Sequence, residues 1–360
     1  MNSYKTKDNT VPARLGYHMP AEWEKHTGTI ISWPHNETTW PGMKDDIEKI
    51  WVSMIKALHE GEGVYILVKD DEEKKYVAGK ISNDKIDMKK ITFFSIPTVD
   101  AWLRDSGPIF VVQDKDGKRK VAATLWTFNA WGCKYDDLLN DHVINRKIME
   151  EMSFDSFNSH IVLEGGSIDV NGKGTLLTTE QCLLNKNRNP HLSRQEIEDY
   201  LRDYLGVKEI IWLKDGIEGD DTNGHVDDIA RFVNPTTVVC MVEDNKDDEN
   251  YARLQANVAV LNKSKDQYGK PLNVIELPMP HHIADYEGRL PASYANFYIG
   301  NSAVLVPVFD CPQDKDALKV LRRLFPDRKV IGIPCHALVH GFGGIHCVTQ
   351  QVPLGDEALI

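Results

Sequence analysis

Acidic and histidine-bearing turn motifs recur along this chain at a near-constant interval, and that interval constrains the architecture more than composition does. Asp105 sits in Asp100-Ala101-Trp102-Leu103-Arg104-Asp105-Ser106-Gly107-Pro108 and Glu164 in Leu163-Glu164-Gly165-Gly166-Ser167. His225 sits in Asp220-Asp221-Thr222-Asn223-Gly224-His225-Val226-Asp227-Asp228. The separations are 59 and 61 residues, although the flanking sequences do not obviously repeat. Modules of about 60 residues, each delivering one group to a common centre, would produce such spacing, and radially arranged modules do this. An irregular α/β arrangement is the other reading.

Short β-rich runs at Gly28 to Trp33, Pro108 to Val112, His160 to Val170, Ile229 to Val242 and Asn296 to Val308 alternate with polar or helical sequence. Asp45 to His59 carries Ile47, Ile50, Trp51, Met54, Ile55 and Leu58 at amphipathic helical spacing. Ser193-Arg194-Gln195-Glu196 reads as a capping box ahead of a helix, and a third helix is expected from about Asp314 to Leu324, stopped by Pro326. No Ser/Gly-rich or Pro-rich linker divides the chain, so one continuous α/β domain spanning 1–360 is expected, with a flexible N-terminal segment 1–15.

A hydrophobic fraction of 41% over 360 residues supports a sizeable core. The net charge of −12, from 42 Lys+Arg against 54 Asp+Glu, argues against nucleic acid or an anionic membrane as partner and favours a small cation. With no apolar stretch of signal-peptide or membrane-spanning length, a soluble cytoplasmic protein is expected. The six cysteines, at 133, 182, 240, 311, 335 and 347, contain no CxxC pair. They therefore suggest neither a disulfide scaffold nor a structural zinc knot.

Cys347 stands apart from the other five, because it lies in the glycine-opened, β-rich stretch Gly343-Gly344-Ile345-His346-Cys347-Val348-Thr349-Gln350-Gln351. His225 and Asp227, two apart, would share one face if their run were a strand. A thiol, an imidazole and carboxylates together make a nucleophilic reaction centre possible. Each residue also has a plainer reading. His225 and Asp227 could be a solvent-facing pair or metal ligands, Glu164 could end a strand, and Asp105 could pair locally with Arg104. Trp102 could be core. A zinc site from Cys335, His336, His340, His346 and Cys347 is a further reading, weakened by the lack of a paired thiolate motif.

Taken with Met19-Pro20-Ala21-Glu22-Trp23, Phe128-Asn129-Ala130-Trp131-Gly132 and Asn185-Lys186-Asn187-Arg188-Asn189-Pro190, these motifs run in order from about residue 18 to 353. As a set they resemble the agmatine deiminase, or bacterial peptidylarginine-deiminase-like, family. The resemblance implies the pentein fold, a five-bladed pseudo-symmetric α/β propeller. It also implies hydrolysis of agmatine to N-carbamoylputrescine and ammonia, with neither metal nor organic cofactor.

By the same resemblance Cys347 is the nucleophile and His225 the general acid and base. Glu164 orients His225, Asp105 and Asp227 bind the guanidinium, and Trp102 borders the substrate channel. The bound cation and His225 are expected to help ionise the thiol, and a homo-oligomer is allowed. Deimination of arginine or peptidylarginine, amidino transfer to an amine, and a catalytically silent cationic-amine binding protein are the alternatives. Two positions depart from the family pattern. Gly341-Phe342-Gly343-Gly344 lacks the Gly-Gly-Gly-Asn of many members, and Cys133 stands where a second glycine is common.

Overall fold

Helix Lys44–Leu58 buries Ile47, Ile50, Trp51, Met54, Ile55 and Leu58, the stripe that its periodicity marks. Helix Arg194–Leu205 begins at Ser193, whose side chain accepts from the Glu196 amide while the Glu196 carboxylate accepts from the Ser193 amide. Helix Gln313–Leu324 ends two residues before Pro326. The structure is a computed structural model describing residues 6–8, 10–286 and 288–356; positions 1–5 and 9 of the expected N-terminal segment lie outside these.

The strands group into five small sheets among the described residues, and each repeats one plan: an inner strand antiparallel to the next, a helix, then a strand returning parallel. The second module is Ile109–Lys115, Lys118–Thr127, helix Ile144–Met152 and Asp155–Val162, extended by Thr6–Asp8. The third is Asp169–Val170, Thr175–Thr179, helix Arg194–Leu205 and Glu209–Leu213. The fourth is Ala230–Asn234, Thr237–Val242, helix Glu249–Leu261 and Asn273–Pro278. The fifth is Tyr298–Ile299, Ala303–Val308, helix Gln313–Leu324 and Lys329–Pro334.

The first module is completed from both ends of the chain. His26–Ser32, Gly63–Val68 and Ile91–Ser95 run parallel, and their inner strand is the C-terminal Gln350–Pro353, antiparallel to His26–Ser32. This closes the ring by giving the first module the antiparallel inner strand that the other four have. The architecture is the five-bladed α/β propeller that the resemblance implies. The ββαβ plan supplies the physical reason for the 60-residue interval, since one such unit must pass before the chain returns to the axis.

Three local expectations fail. Asp227 lies on a 3₁₀ turn, Val226–Asp228, and His225 just before it, not on a strand. Cys347 lies on another, His346–Val348. The run from His160 to Val170 breaks at the turn Gly165–Ser167. In all three, a turn precedes an inner strand too short to fill the apolar run. Asp105 lies on the helical turn Leu103–Ser106.

Candidate active site

Every module is entered through a turn that presents a polar side chain to the ring centre. Leu103–Ser106 presents Asp105, and the segment at Gly165–Ser167 presents Glu164. Val226–Asp228 presents His225, Asp227 and Asp228, while His346–Val348 presents Cys347. The fifth turn, before Tyr298–Ile299, presents Asn296. Asn296 was not singled out in the sequence as a site residue. The module interval was the signal that could have found it, for it falls between His225 and Cys347, where a fifth group is due.

Asn296 ties the Cys347 turn down. Its Nδ2 donates to Asp228 Oδ1 at 2.9 Å and lies 3.2 Å from Cys347 Sγ, and its Oδ1 accepts from the amides of His346 at 2.9 Å and Cys347 at 3.3 Å. Gly344 packs so closely that a Cβ there would come within 2.4 Å of Asn296 Oδ1. The asparagine of the common family motif therefore has no room here unless its neighbours shift.

Asp105 accepts from Trp131 Nε1 and from the Gly166 amide, both at 2.9 Å. Its Oδ2 lies 3.8 Å from His225 Nδ1. A Cβ on Gly166 would lie 2.5 Å from His225 Nδ1, 2.9 Å from Asp105 Oδ1 and 3.1 Å from Asp227 Oδ2, so glycine at 166 is what lets these three groups converge. The indole that holds Asp105 sits in a strained turn. Ala130, Trp131 and Cys133 have φ of 51°, 53° and 60°, so the Cys133 departure falls on a left-handed residue where glycine is favoured. Phe342 at φ 63° repeats this at the other departure.

Asp227 Oδ2 is 2.7 Å from His346 Nδ1 and 3.8 Å from Cys347 Sγ, while its Oδ1 has no hydrogen-bond partner. Glu164 does not hydrogen-bond His225. Its Oε1 accepts from Arg188 Nε at 2.6 Å, and its Oε2 and both His225 ring nitrogens are without partners. Ligating atoms of Glu164, Cys182 and His225 nevertheless lie within 4.8 Å of one another, as do those of Asp227, Asp228 and Cys347. These are the groups among the described residues that could hold a metal ion. The C-terminal zinc reading is not assembled: Cys335 is not in either group, His336 pairs with the Phe309 carbonyl, and His340 lies 3.2 Å from Asp285.

The electrostatics are those of a site crowded with anions. Burial, with Asp227 and Glu164 nearby, pushes Asp105 well above the usual carboxylate range. Burial with Asp227 and Asp220 does the same to Asp228. The Cys347 thiol is pushed up by burial and by Asp227, Asp228 and Asp105. Burial takes His225 down to about 3, which favours a neutral ring in the free protein.

A cavity of about 590 Å³ opens onto Cys347 and Asp105. Its wall includes Asp100, Asp137, Asp221 and Asp285 and, among the described residues, no Lys or Arg. Trp102 lines it, packed against Trp40 at 5.4 Å and against Gly343, where a Cβ would come within 2.3 Å of the indole.

Residues 18–353 match the model of the Porphyromonas-type peptidyl-arginine deiminase family. The chain belongs to that family. It is 40% identical to an agmatine deiminase of Stutzerimonas stutzeri, covering 96% of this chain and 97% of that one. Agmatine deiminase of Pseudomonas aeruginosa is 39% identical, with 97% and 99% covered. The solved agmatine deiminase of Enterococcus faecalis superposes with a TM-score of 0.86 at 34% identity, over 96% of this chain and 98% of that one.

Proposed function

We propose that this protein hydrolyses agmatine to N-carbamoylputrescine and ammonia through a covalent adduct on Cys347. The observation that carries the reading is the cavity itself. It ends on a thiol and carboxylates, its wall is acidic, and among the described residues no Lys or Arg lines it. Agmatine is cationic at both ends, and a guanidinium matches carboxylates through paired, charge-assisted hydrogen bonds. Relatives named agmatine deiminase at about 40% identity support the assignment.

In this reading Asp105 and Asp227 receive the guanidinium, whose charge offsets their mutual repulsion and lowers the Cys347 pKa. Cys347 gives up its proton and attacks the guanidinium carbon, forming a C–S bond. Ammonia leaves with a proton returned by His225. Water, deprotonated by the same imidazole, then attacks the amidino-thioether, and the C–S bond breaks to release the ureido product and the thiol. Glu164, held by Arg188, faces the imidazole as a charge-stabilising neighbour. Trp102 forms a wall of the channel.

The test is incubation with agmatine, free arginine and a blocked arginyl peptide, with and without an added amine acceptor, scored for ammonia, ureido product and transferred amidino group. Agmatine alone should give ammonia and ureido product in equal amounts, unaffected by dialysis against a chelator. Cys347→Ala should fold normally and lose turnover by on the order of 10⁴-fold or more. Full activity in that variant, or an adduct mapped to another cysteine, would remove the mechanism.

A further inference from the structure

The Met19-Pro20-Ala21-Glu22-Trp23 motif and His346 have no part in the chemistry just described, yet they meet beside it. His346 is 2% exposed and places each ring nitrogen on a carboxylate, Nδ1 2.7 Å from Asp227 Oδ2 and Nε2 2.8 Å from Glu22 Oε2. Glu22 is in turn fixed by the Ile299 amide at 2.8 Å, by Arg231 at 3.0 Å and by Arg104 at 3.4 Å. Arg104 Nε also donates to the His346 carbonyl at 3.3 Å.

From this geometry we propose that Glu22 and His346 are positioning residues: His346, protonated on both nitrogens, bridges Glu22 to Asp227 and keeps the Asp227 carboxylate charged and aimed at the guanidinium. The proposal rests on the assignment of Asp227 to guanidinium binding. A neutral imidazole has one N–H and one lone pair, and a lone pair at 2.7 or 2.8 Å from an ionised carboxylate oxygen would be repelled. Two carboxylate neighbours therefore call for two N–H donors. Glu22 is the poorer place for the extra proton, because two guanidinium groups already face it.

The surroundings show why Asp227 needs such help. Facing it are Asp105, Asp220, Asp228 and the Cys347 thiol, which oppose its charge, while His346, His225, Arg231 and Arg104 favour it. Burial alone would raise Asp227, as it raises Asp105 and Asp228. The His346 hydrogen bond and charge lead the influences that outweigh it, with His225 and Arg231 behind them, and hold Asp227 below the usual range. The chain thus separates two carboxylates of one site, one protonated and one ionised, by giving only one of them an imidazolium.

The experiment begins with the wild-type kcat/KM for agmatine against pH. If no ureido product forms, the proposed reaction fails, and the relay is then judged alone by nitrogen NMR of ¹⁵N-histidine-labelled protein. There the His346 signal, assigned by its loss in His346→Asn, should report two protonated nitrogens at pH 7. A single protonated nitrogen would overturn the proposal.

With an active wild type, His346→Ala should lower kcat/KM at pH 7 by about tenfold, no more than the loss of the Asp227 charge itself, and move its acid limb upward. Activity should partly return at higher pH as Asp227 ionises unaided. His346→Asn, whose amide can donate where Nδ1–H did, should recover about threefold over the alanine variant. Glu22→Gln, which replaces no residue of the Cys347 turn, should shift the acid limb the same way by less. An acid limb that stays at its wild-type position in folded His346→Ala and Glu22→Gln would reduce both residues to packing and overturn the proposal. So would failure of the asparagine variant to recover activity.

Discussion

At the reactive end of the cavity, Asp105, Asp228, Glu164 and Cys347 crowd together with neutral His225, and Glu164 Oε2, Asp227 Oδ1 and both His225 nitrogens have no partner. The neighbouring cluster of Glu22, Arg104, Asp169 and Arg231 is equally buried, but there each charge faces an opposite one. Arg231 lies 3.0 Å from Glu22 and donates Nε to Asp169 at 2.5 Å, and its Nη1 reaches the Phe297 carbonyl at 2.9 Å. The same degree of burial therefore has two consequences. Pairing holds Glu22 below the usual carboxylate range and Arg231 above its ordinary value, although burial still draws Asp169 up and Arg104 down, and the cluster joins the N-terminal loop to the second, third and fourth modules; Asp105, Asp228 and the Cys347 thiol, without a charged partner, are pushed well above their ordinary values. A site in the second condition is held ready for a cation, and its binding energy includes the restored ionisation.

The comparison breaks most visibly through Arg231. Arg231→Met leaves Glu22 and Asp169 buried without their main counter-charge, and removing one partner of a buried ion pair costs about 3–5 kcal/mol. Urea denaturation should show a loss of that size, whereas Asp105→Asn should show no comparable loss at neutral pH. Equal losses would mean that the reactive cluster is as much a structural element as the paired one.

The acidic wall sharpens the contrast next. Arginine adds a carboxylate where agmatine has none, and among the described residues no lining Lys or Arg is present to receive it. We expect kcat/KM for agmatine to exceed that for free arginine by at least about a hundredfold, equivalent to about 3 kcal/mol between transition states. Comparable rates would overturn the substrate while leaving the thiol chemistry standing. A smaller effect is due at the carboxylates themselves. Asp227→Asn and Asp105→Asn should each lower kcat/KM by roughly tenfold or more, because charge-assisted hydrogen bonds contribute on the order of 1.5–3 kcal/mol. Near-wild-type values in both variants would return the two residues to structure.

Five of the groups that meet at the ring centre, Asp105, Glu164, His225, Asp227 and Cys347, were legible in sequence because they sit beside glycine-bearing turns at module intervals. Their turn geometry was not. Strand alternation assigns His225 and Asp227 to one face, whereas a 3₁₀ turn sends His225 toward Glu164 and Asp227 toward His346. Asn296 escaped notice because it is uncharged and opens an apolar run that reads as core. Glu22, Arg104 and His346 form a network through distant pairings, from Glu22 to His346 for example, that no local pattern encodes. Gly166 becomes obligatory only once three side chains are seen to crowd its Cα.

The smallest expected effect tests the neutral-carboxylate argument directly. Burial with Asp227 and Glu164 raises Asp105 above the value near 3.9 of an unfolded aspartate. Between these two values the folded protein binds more protons than the unfolded one, so this group's contribution to stability falls as pH rises through that window. Asparagine does not titrate, so the stability of Asp105→Asn relative to wild type should increase from pH 4 to pH 8. His225, neutral when folded, destabilises both proteins alike as the pH drops below about 6.5, and it cancels in the difference. Whatever the asparagine loses by facing the Trp131 or Gly166 N–H with its own amide is present at both pH values and cancels too. The sign is what decides: a relative gain by pH 8 is expected. Saturating agmatine should reduce it, because a cation beside Asp105 removes the wild type's penalty. Parallel stability curves at the two pH values would show that Asp105 ionises freely in the empty site, and the contrast between the two clusters would then rest on geometry alone.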